Sequence, residues 1–102
     1  MKNLKMKKLK IALDFDDTYT AHTLLWDAFL QMCEQAGHEV YCVTARYDNE
    51  FEAPLVESHL SGKVKEIFYT GRKAKIDFME HRGVYIDIWI DDNPFSALYD
   101  LT

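Results

Sequence analysis

Four short apolar runs, "KIALDF", "EVYCVT", "VKEIFYT" and "VYIDIWI", alternate with segments of helical spacing, and this alternation constrains the fold of the 102-residue chain more than any other feature. Runs of this length, rich in Val, Ile and aromatic residues, read as buried strands. After the first run, "TYTAHT" reads as a polar turn. From Thr23, Leu24, Leu25, Ala28, Phe29, Met32, Cys33 and Ala36 recur at helical spacing, with Gly37 as the stop. "LVESHL" reads as a second helix ended by Gly62, "RKAKIDFMEHR" as a third closed by Gly83, and "SALYD" as a last helical turn. The order β-α-β-α-β-α-β predicts a parallel sheet covered by helices on both faces, with right-handed crossovers. The expected fold is a Rossmann-like three-layer α/β sandwich with about four strands in the order 4-1-2-3. It is read as one domain over 1–102, with a basic leader at 1–8.

Charge narrows the partners. The net charge is −5. Five of the 12 Lys and Arg lie in the first ten positions, where none of the 17 acidic residues falls, so the remainder is strongly acidic. A broad nucleic-acid surface needs the opposite balance, which leaves nucleic acid only as a substrate. No apolar stretch approaches the ~20 residues that span a bilayer. The leader lacks the apolar core of a signal peptide, and a cytoplasmic protein is expected. Cys33 and Cys42 form no zinc-type spacing and read as reduced core residues.

The strand ends carry the chemistry. In such sheets ligands bind beyond the C-terminal strand ends. Asp14 and Asp16, Thr44, Thr70, and Asp91 with Asp92 all fall there. Asp14 and Asp16 are two apart, so both can lie on one side of the chain. Carboxylates gathered at one edge repel unless a cation neutralises them, and an all-oxygen set suits a hard ion such as Mg²⁺. Lys73 and Lys75 both open the third helix. Lys75 shares its face with Phe78 and Met79, which favours it as the lysine that reaches the strand ends. Arg46, two residues after Thr44, could grip a phosphate with both arms of its guanidinium. Tyr19, His22 and Trp26 are placed near the mouth of the site, with packing the preferred role for each. Asp87 reads as a tolerated polar residue on an edge strand.

Four of these segments resemble, in order, the motifs of the haloacid dehalogenase-like superfamily. "DFDDT" is similar to its D-x-D-x-T motif, "CVTA" to the strand ending in Thr or Ser, a lysine in the seventies to the third motif, and "IWIDDN" to the acidic fourth. The match covers residues 11–93. The resemblance implies a Mg²⁺-dependent phosphomonoester hydrolase in which Asp14 is the nucleophile and takes the phosphoryl group. Asp16 would be the general acid and base. Thr18 would steady the loop, Thr44 would bind phosphoryl oxygens, and Lys75 would neutralise phosphate and nucleophile together. Asp14, Asp16, Asp91 and Asp92 would form the metal site, with Asp92 the direct ligand of the last pair.

The chain also departs from that pattern. The gaps after Asp16 and after Thr44 are too short for a cap domain. An uncapped site excludes water poorly from a small substrate, so a macromolecular substrate, a second copy or a partner closing the site is expected. No fifth strand is expected after the fourth motif within these 102 residues. Two other classes compete: a binding or scaffold protein on an inactive phosphatase fold, and a receiver-like phospho-accepting domain, whose acidic residues would occur in the other order.

Overall fold

The computed structural model describes residues 6–102, so residues 1–5 of the expected leader lie outside the described residues. Strands β1 (Lys10–Leu13), β2 (Glu39–Thr44), β3 (Ile67–Tyr69) and β4 (Ile88–Ile90) pair in parallel in the order β3-β2-β1-β4. That is the expected order read from the other edge. Helices α1 (Thr23–Ala36), α2 (Ala53–Leu60), α3 (Lys75–Glu80) and α4 (Phe95–Leu98) supply the crossovers and the covering layers. The chain is an α/β three-layer sandwich of Rossmann-like type. No domain is inserted after β1 or after β2. Among the described residues, no helix is long and apolar enough to cross a membrane.

Alternation along the strands divides the core in two. Ile11, Leu13, Val40 and Cys42 point to the face covered by Leu30 and Cys33 of α1 and by Val56 and Leu60 of α2. Ala12, Tyr41 and Val43 point to the other face, against Met79 of α3 with Phe78 and Trp89 beside it. Both cysteines are free and buried.

The face that α1 buries differs from the expected stripe. Trp26, Phe29, Leu30 and Cys33 meet the core, whereas Leu24 and Met32 are 78% and 69% exposed and Leu25 and Ala28 also face out. Two apolar rows run along this helix, and positions two apart lie about 200° round the axis, so only one row can reach the sheet. His22 sets the phase: its Nδ1 accepts from the Leu25 N–H at 3.1 Å, in the N-cap position. Tyr19 is likewise core rather than polar turn. It is 1% exposed, stacks on Phe15 at 6.0 Å and donates its hydroxyl to Asp27 at 2.7 Å.

Elements near the site are shorter than their apolar runs suggest. β3 and β4 were expected from residues 64 and 84 but pair only from Ile67 and Ile88. Ile86 therefore precedes β4 and joins the α3-side cluster, while Ile90 joins the α1-side cluster. α3 was expected over 72–82. Arg72 has φ 69°, which no helix continues, and the Ala74 N–H is satisfied by Asp100 Oδ1 at 2.7 Å, far along the chain. α2 starts earlier than expected because Pro54, lacking an N–H, fits its first turn.

The described part of the leader is anchored by charge. Lys7 pairs with Asp87 at 3.1 Å, and Asp87 also accepts from the Lys10 N–H at 2.9 Å. Lys8 and Lys65 both pair with Glu39, at 2.9 and 3.0 Å. Asp87 thus joins the start of the edge strand to β1. Leu60→Ala, in the α1-side core, is expected to cost about 2–5 kcal/mol in chemical denaturation. Leu24→Ala is expected to stay within about 0.5 kcal/mol, and a core-sized loss there would refute the exposed placement of that row.

Candidate functional site

The parallel register brings the acidic residues together. Leu13 is level with Cys42 on one side and Ile90 on the other, so the next residues, Asp14 and Asp91, stand side by side. The Asp14 N–H donates to the Ile90 carbonyl at 3.0 Å and continues the ladder to this point. Beyond Asp14 the chain turns sharply. Asp16 is extended, and Asp17 takes the left-handed conformation with φ 61°, which Asp tolerates better than most residues. The Asp17 N–H donates to Thr20 Oγ1 at 2.9 Å. This turn carries Thr18 back over Asp14.

Thr18 bridges the two acidic segments. Its Oγ1 lies 3.0 Å from Asp14 Oδ2 and 3.0 Å from Asp92 Oδ1, and it accepts from the Asp92 N–H at 3.0 Å. One hydroxyl has one proton, so it serves one carboxylate at a time. Lys75 comes from the other side of the sheet edge. Its ammonium is 2.9 Å from Asp14 Oδ1 and 2.6 Å from Asp91 Oδ2, and its side chain is 2% exposed. Lys73, by contrast, is 71% exposed and only 3.9 Å from Asp100. Asp91 is fully engaged: it also accepts from Ser96 Oγ at 3.0 Å and from the Asn93 N–H at 2.9 Å.

Asp14, Asp91 and Asp92 each offer a carboxylate oxygen within 4.8 Å of the others. An all-oxygen set of this kind fits a hard divalent cation. The Asp16 side chain is outside that group. It faces Arg46, whose Nε and Nη2 donate to its two oxygens, each at 2.8 Å. Arg46 Nη1 donates to the Glu52 carbonyl at 2.8 Å, and the guanidinium lies 5.3 Å over the Phe15 ring. Thr44 is wholly buried and its Oγ1 accepts from the Arg46 N–H at 3.2 Å. Thr70 is buried at the end of β3, and its hydroxyl has no partner.

Asp14, Asp16, Lys75, Asp91 and Asp92 line a cleft of about 220 Å³ at the C-terminal strand ends, together with Arg72. Thr18, Thr44 and Arg46 do not line it. A hollow of about 440 Å³ beside α1, between Asp27 and the Gly62–Lys63 turn, holds no comparable cluster. Tyr19, His22 and Trp26 take packing and capping roles away from the cleft.

Charge states follow from these contacts. Burial pushes Asp14 up to about 6, against the pull of Lys75. Burial disfavours the Lys75 ammonium, but Asp14 and Asp91 outweigh it and raise its pKa, so it stays charged. The hydrogen bonds from Arg46 hold Asp16 below the usual carboxylate range, and the charges of Lys75 and Arg72 add to that effect.

Sequence reasoning missed Ser96, Asp100 and Arg72. Ser96 lies in the four-residue α4, too short for periodicity to show which side chain faces the site, and Asp100 accepts from the Ala74 N–H 26 residues away. Arg72 follows Thr70-Gly71, a turn signal that marked the loop but not its direction. No family model, curated protein or solved structure matches the chain.

The raised Asp14 has a thermodynamic signature. Between about pH 4 and 6 the folded chain holds a proton that the unfolded chain has released, so stability falls as pH rises through that window. Without divalent cations, Asp14→Asn is therefore expected to unfold at a higher temperature than wild type at pH 7 and to lose that advantage near pH 4. Thermal scans in chelator across this range check it. An equal or lower midpoint for the variant at pH 7 would contradict the burial cost assigned to Asp14.

Proposed function

We propose that the protein is a Mg²⁺-dependent phosphomonoester hydrolase of haloacid dehalogenase-like type, acting through an aspartyl-phosphate on Asp14. The observation that carries this reading is the surrounding of Asp14: Lys75 Nζ at 2.9 Å, Thr18 Oγ1 at 3.0 Å, and the oxygens of Asp91 and Asp92 within 4.8 Å. A structural ion pair needs one partner. Three gathered carboxylates and a buried lysine, open to a cleft, suit a group that must be ionised, neutralised and reached by substrate.

Asp14, Asp91 and Asp92 would hold the cation. When bound, Mg²⁺ supplies positive charge that favours the ionised Asp14 and offsets the negative charge of the phosphoryl group. The protein's own groups carry the proton and bond changes. An Asp14 oxygen bonds to phosphorus as the bond from phosphorus to the alcohol oxygen breaks, and Asp16 gives that alcohol a proton. Water then attacks the phosphorus, Asp16 takes its proton, and the acyl-phosphate bond breaks to release inorganic phosphate and restore Asp14. Lys75 offsets charge throughout.

The Asp16–Arg46 pair bears on both halves. Arg46 keeps Asp16 as a carboxylate, which suits the base half. For the acid half Asp16 must leave the guanidinium fork and carry a proton. The same closed pair also favours a second reading, a protein that binds phosphate groups without turning them over. A cleft of about 220 Å³ accepts a phosphate group on the end of a larger molecule more readily than it encloses a whole metabolite.

Aryl phosphate hydrolysis tests the proposal. Asp14→Asn is expected to abolish turnover of p-nitrophenyl phosphate with Mg²⁺. Asp16→Asn is expected to release about one p-nitrophenolate per enzyme in a burst and then stall, because that leaving group needs no proton while the attacking water still needs a base. Wild-type inactivity across a panel of phosphomonoesters would favour the binding reading. Lys75→Ala is expected to lower kcat/KM by about 10²–10³-fold, a typical loss for an electrostatic group at the reacting centre, and Lys73→Ala to change it little. The reverse ranking would disprove the role given to Lys75.

A further inference from the structure

Arg72 has a conformation that only a fixed surrounding sustains. Its φ is 69°, the left-handed region that an arginine enters at a cost. Both of its peptide groups are fastened. The Arg72 N–H donates to the Ala45 carbonyl at 2.9 Å, and the Arg72 carbonyl accepts from the Leu101 N–H at 2.7 Å. The preceding Gly71, at φ 59°, lies so close to Tyr47 that a Cβ there would stand 3.1 Å from the ring. The same ring carries the Arg72 guanidinium at 5.4 Å from its centroid. A strained backbone at a cleft-lining residue, a glycine at positive φ before it and an aromatic ring under its guanidinium thus meet in one loop.

The cleft's charges explain what such a cation would do. Five aspartates line it, Asp14, Asp16, Asp17, Asp91 and Asp92, against two cations, Lys75 and Arg72. Lys75 is taken up by Asp14 and Asp91. Arg46 does not line the cleft and is taken up by Asp16 and Glu52. Arg72 meets only Glu52, at 3.8 Å, and its side chain is 44% exposed. Among the described residues it is the cleft-lining cation with donors to spare.

Resting on the phosphate-site reading above, we infer that Arg72, which lines the cleft and has donors to spare, is the residue that receives the substrate's phosphate group. Its guanidinium offers the planar donor pair that a phosphate dianion accepts. The Tyr47 ring under the guanidinium restricts its motion and so limits the entropy lost on binding. In a site without a cap domain, this loop takes over part of a lid's work in holding the phosphate.

The choice of variant separates binding from folding. Arg72→Gly removes the side chain and leaves a residue to which φ 69° is native, so the thermal midpoint is expected to hold or rise. Inorganic phosphate, titrated calorimetrically into the protein with Mg²⁺ present, is expected to bind the variant about 10- to 100-fold more weakly than wild type. Turnover of p-nitrophenyl phosphate should lose kcat/KM mainly through KM. Arg72→Lys, which keeps the charge but not the fork, should recover part of the affinity. Equal phosphate affinity in wild type and Arg72→Gly overturns the inference, as does a lowered midpoint with no recovery in Arg72→Lys. Wild type that binds phosphate, with Arg72→Gly weakened, but turns over no phosphomonoester would remove the hydrolase reading and leave Arg72 as the phosphate receptor. Wild type that binds no phosphate would remove Arg72's role as well.

Discussion

The Lys75 ammonium, buried between Asp14 and Asp91, is the contact on which the rest of the site depends. Two carboxylates on adjacent strand ends would repel at this separation, and burial pushes Asp14 toward its neutral form. One ammonium within hydrogen-bond reach of both changes that. The arrangement is costly to assemble, because three charges leave water, and their mutual attraction must offset the loss. It holds because further donors complete it: Thr18 on Asp14, Ser96 and the Asn93 N–H on Asp91. The site is therefore a network in which Lys75 serves two carboxylates at once, and removing it leaves both without their cation.

The scaffold makes this network possible by simple means. In a parallel sheet every strand delivers its last residue to the same edge, and here β1 and β4 lie side by side at the point where the strand order reverses. Asp14 and Asp91 become neighbours through register alone. Lys75 arrives because α3 opens at that edge with Met79, one turn on, buried against the opposite sheet face. A lysine anchored by its helix's apolar stripe can extend its stem along the core and put its head among the carboxylates.

Much of this was legible in the sequence. The strand pattern foretold the sheet and its order, and the face shared by Lys75, Phe78 and Met79 distinguished Lys75 from Lys73 before any coordinates. Parity and composition carry that much because they report burial. They failed where two apolar rows competed on α1, since nothing in Leu24, Ala28 and Met32 taken alone says which row meets the sheet. They failed again at strand lengths: pairing stops where neighbouring strands stop, and that is a property of partners rather than of the run itself. Asp16 marks a further limit. Its place beside Asp14 was plain, but its pairing with Arg46, 30 residues later, depends on how two loops fold toward each other.

The sheet order also sets the sequence in time by which the site is completed. β1, near the beginning of the chain, lies between β2 and β4, and its β4 neighbour is made last. Lys75 follows Asp14 by 61 residues. A growing or partly folded chain thus carries its acidic turn long before the ammonium and the second carboxylate pair exist. Closing such distant contacts is entropically slow, and the gathered charges give no reward until the last strand docks. The acidic turn after β1 is therefore half a site until β4 pairs with it, because the Asp91 carboxylate that shares Lys75 comes only with the last strand.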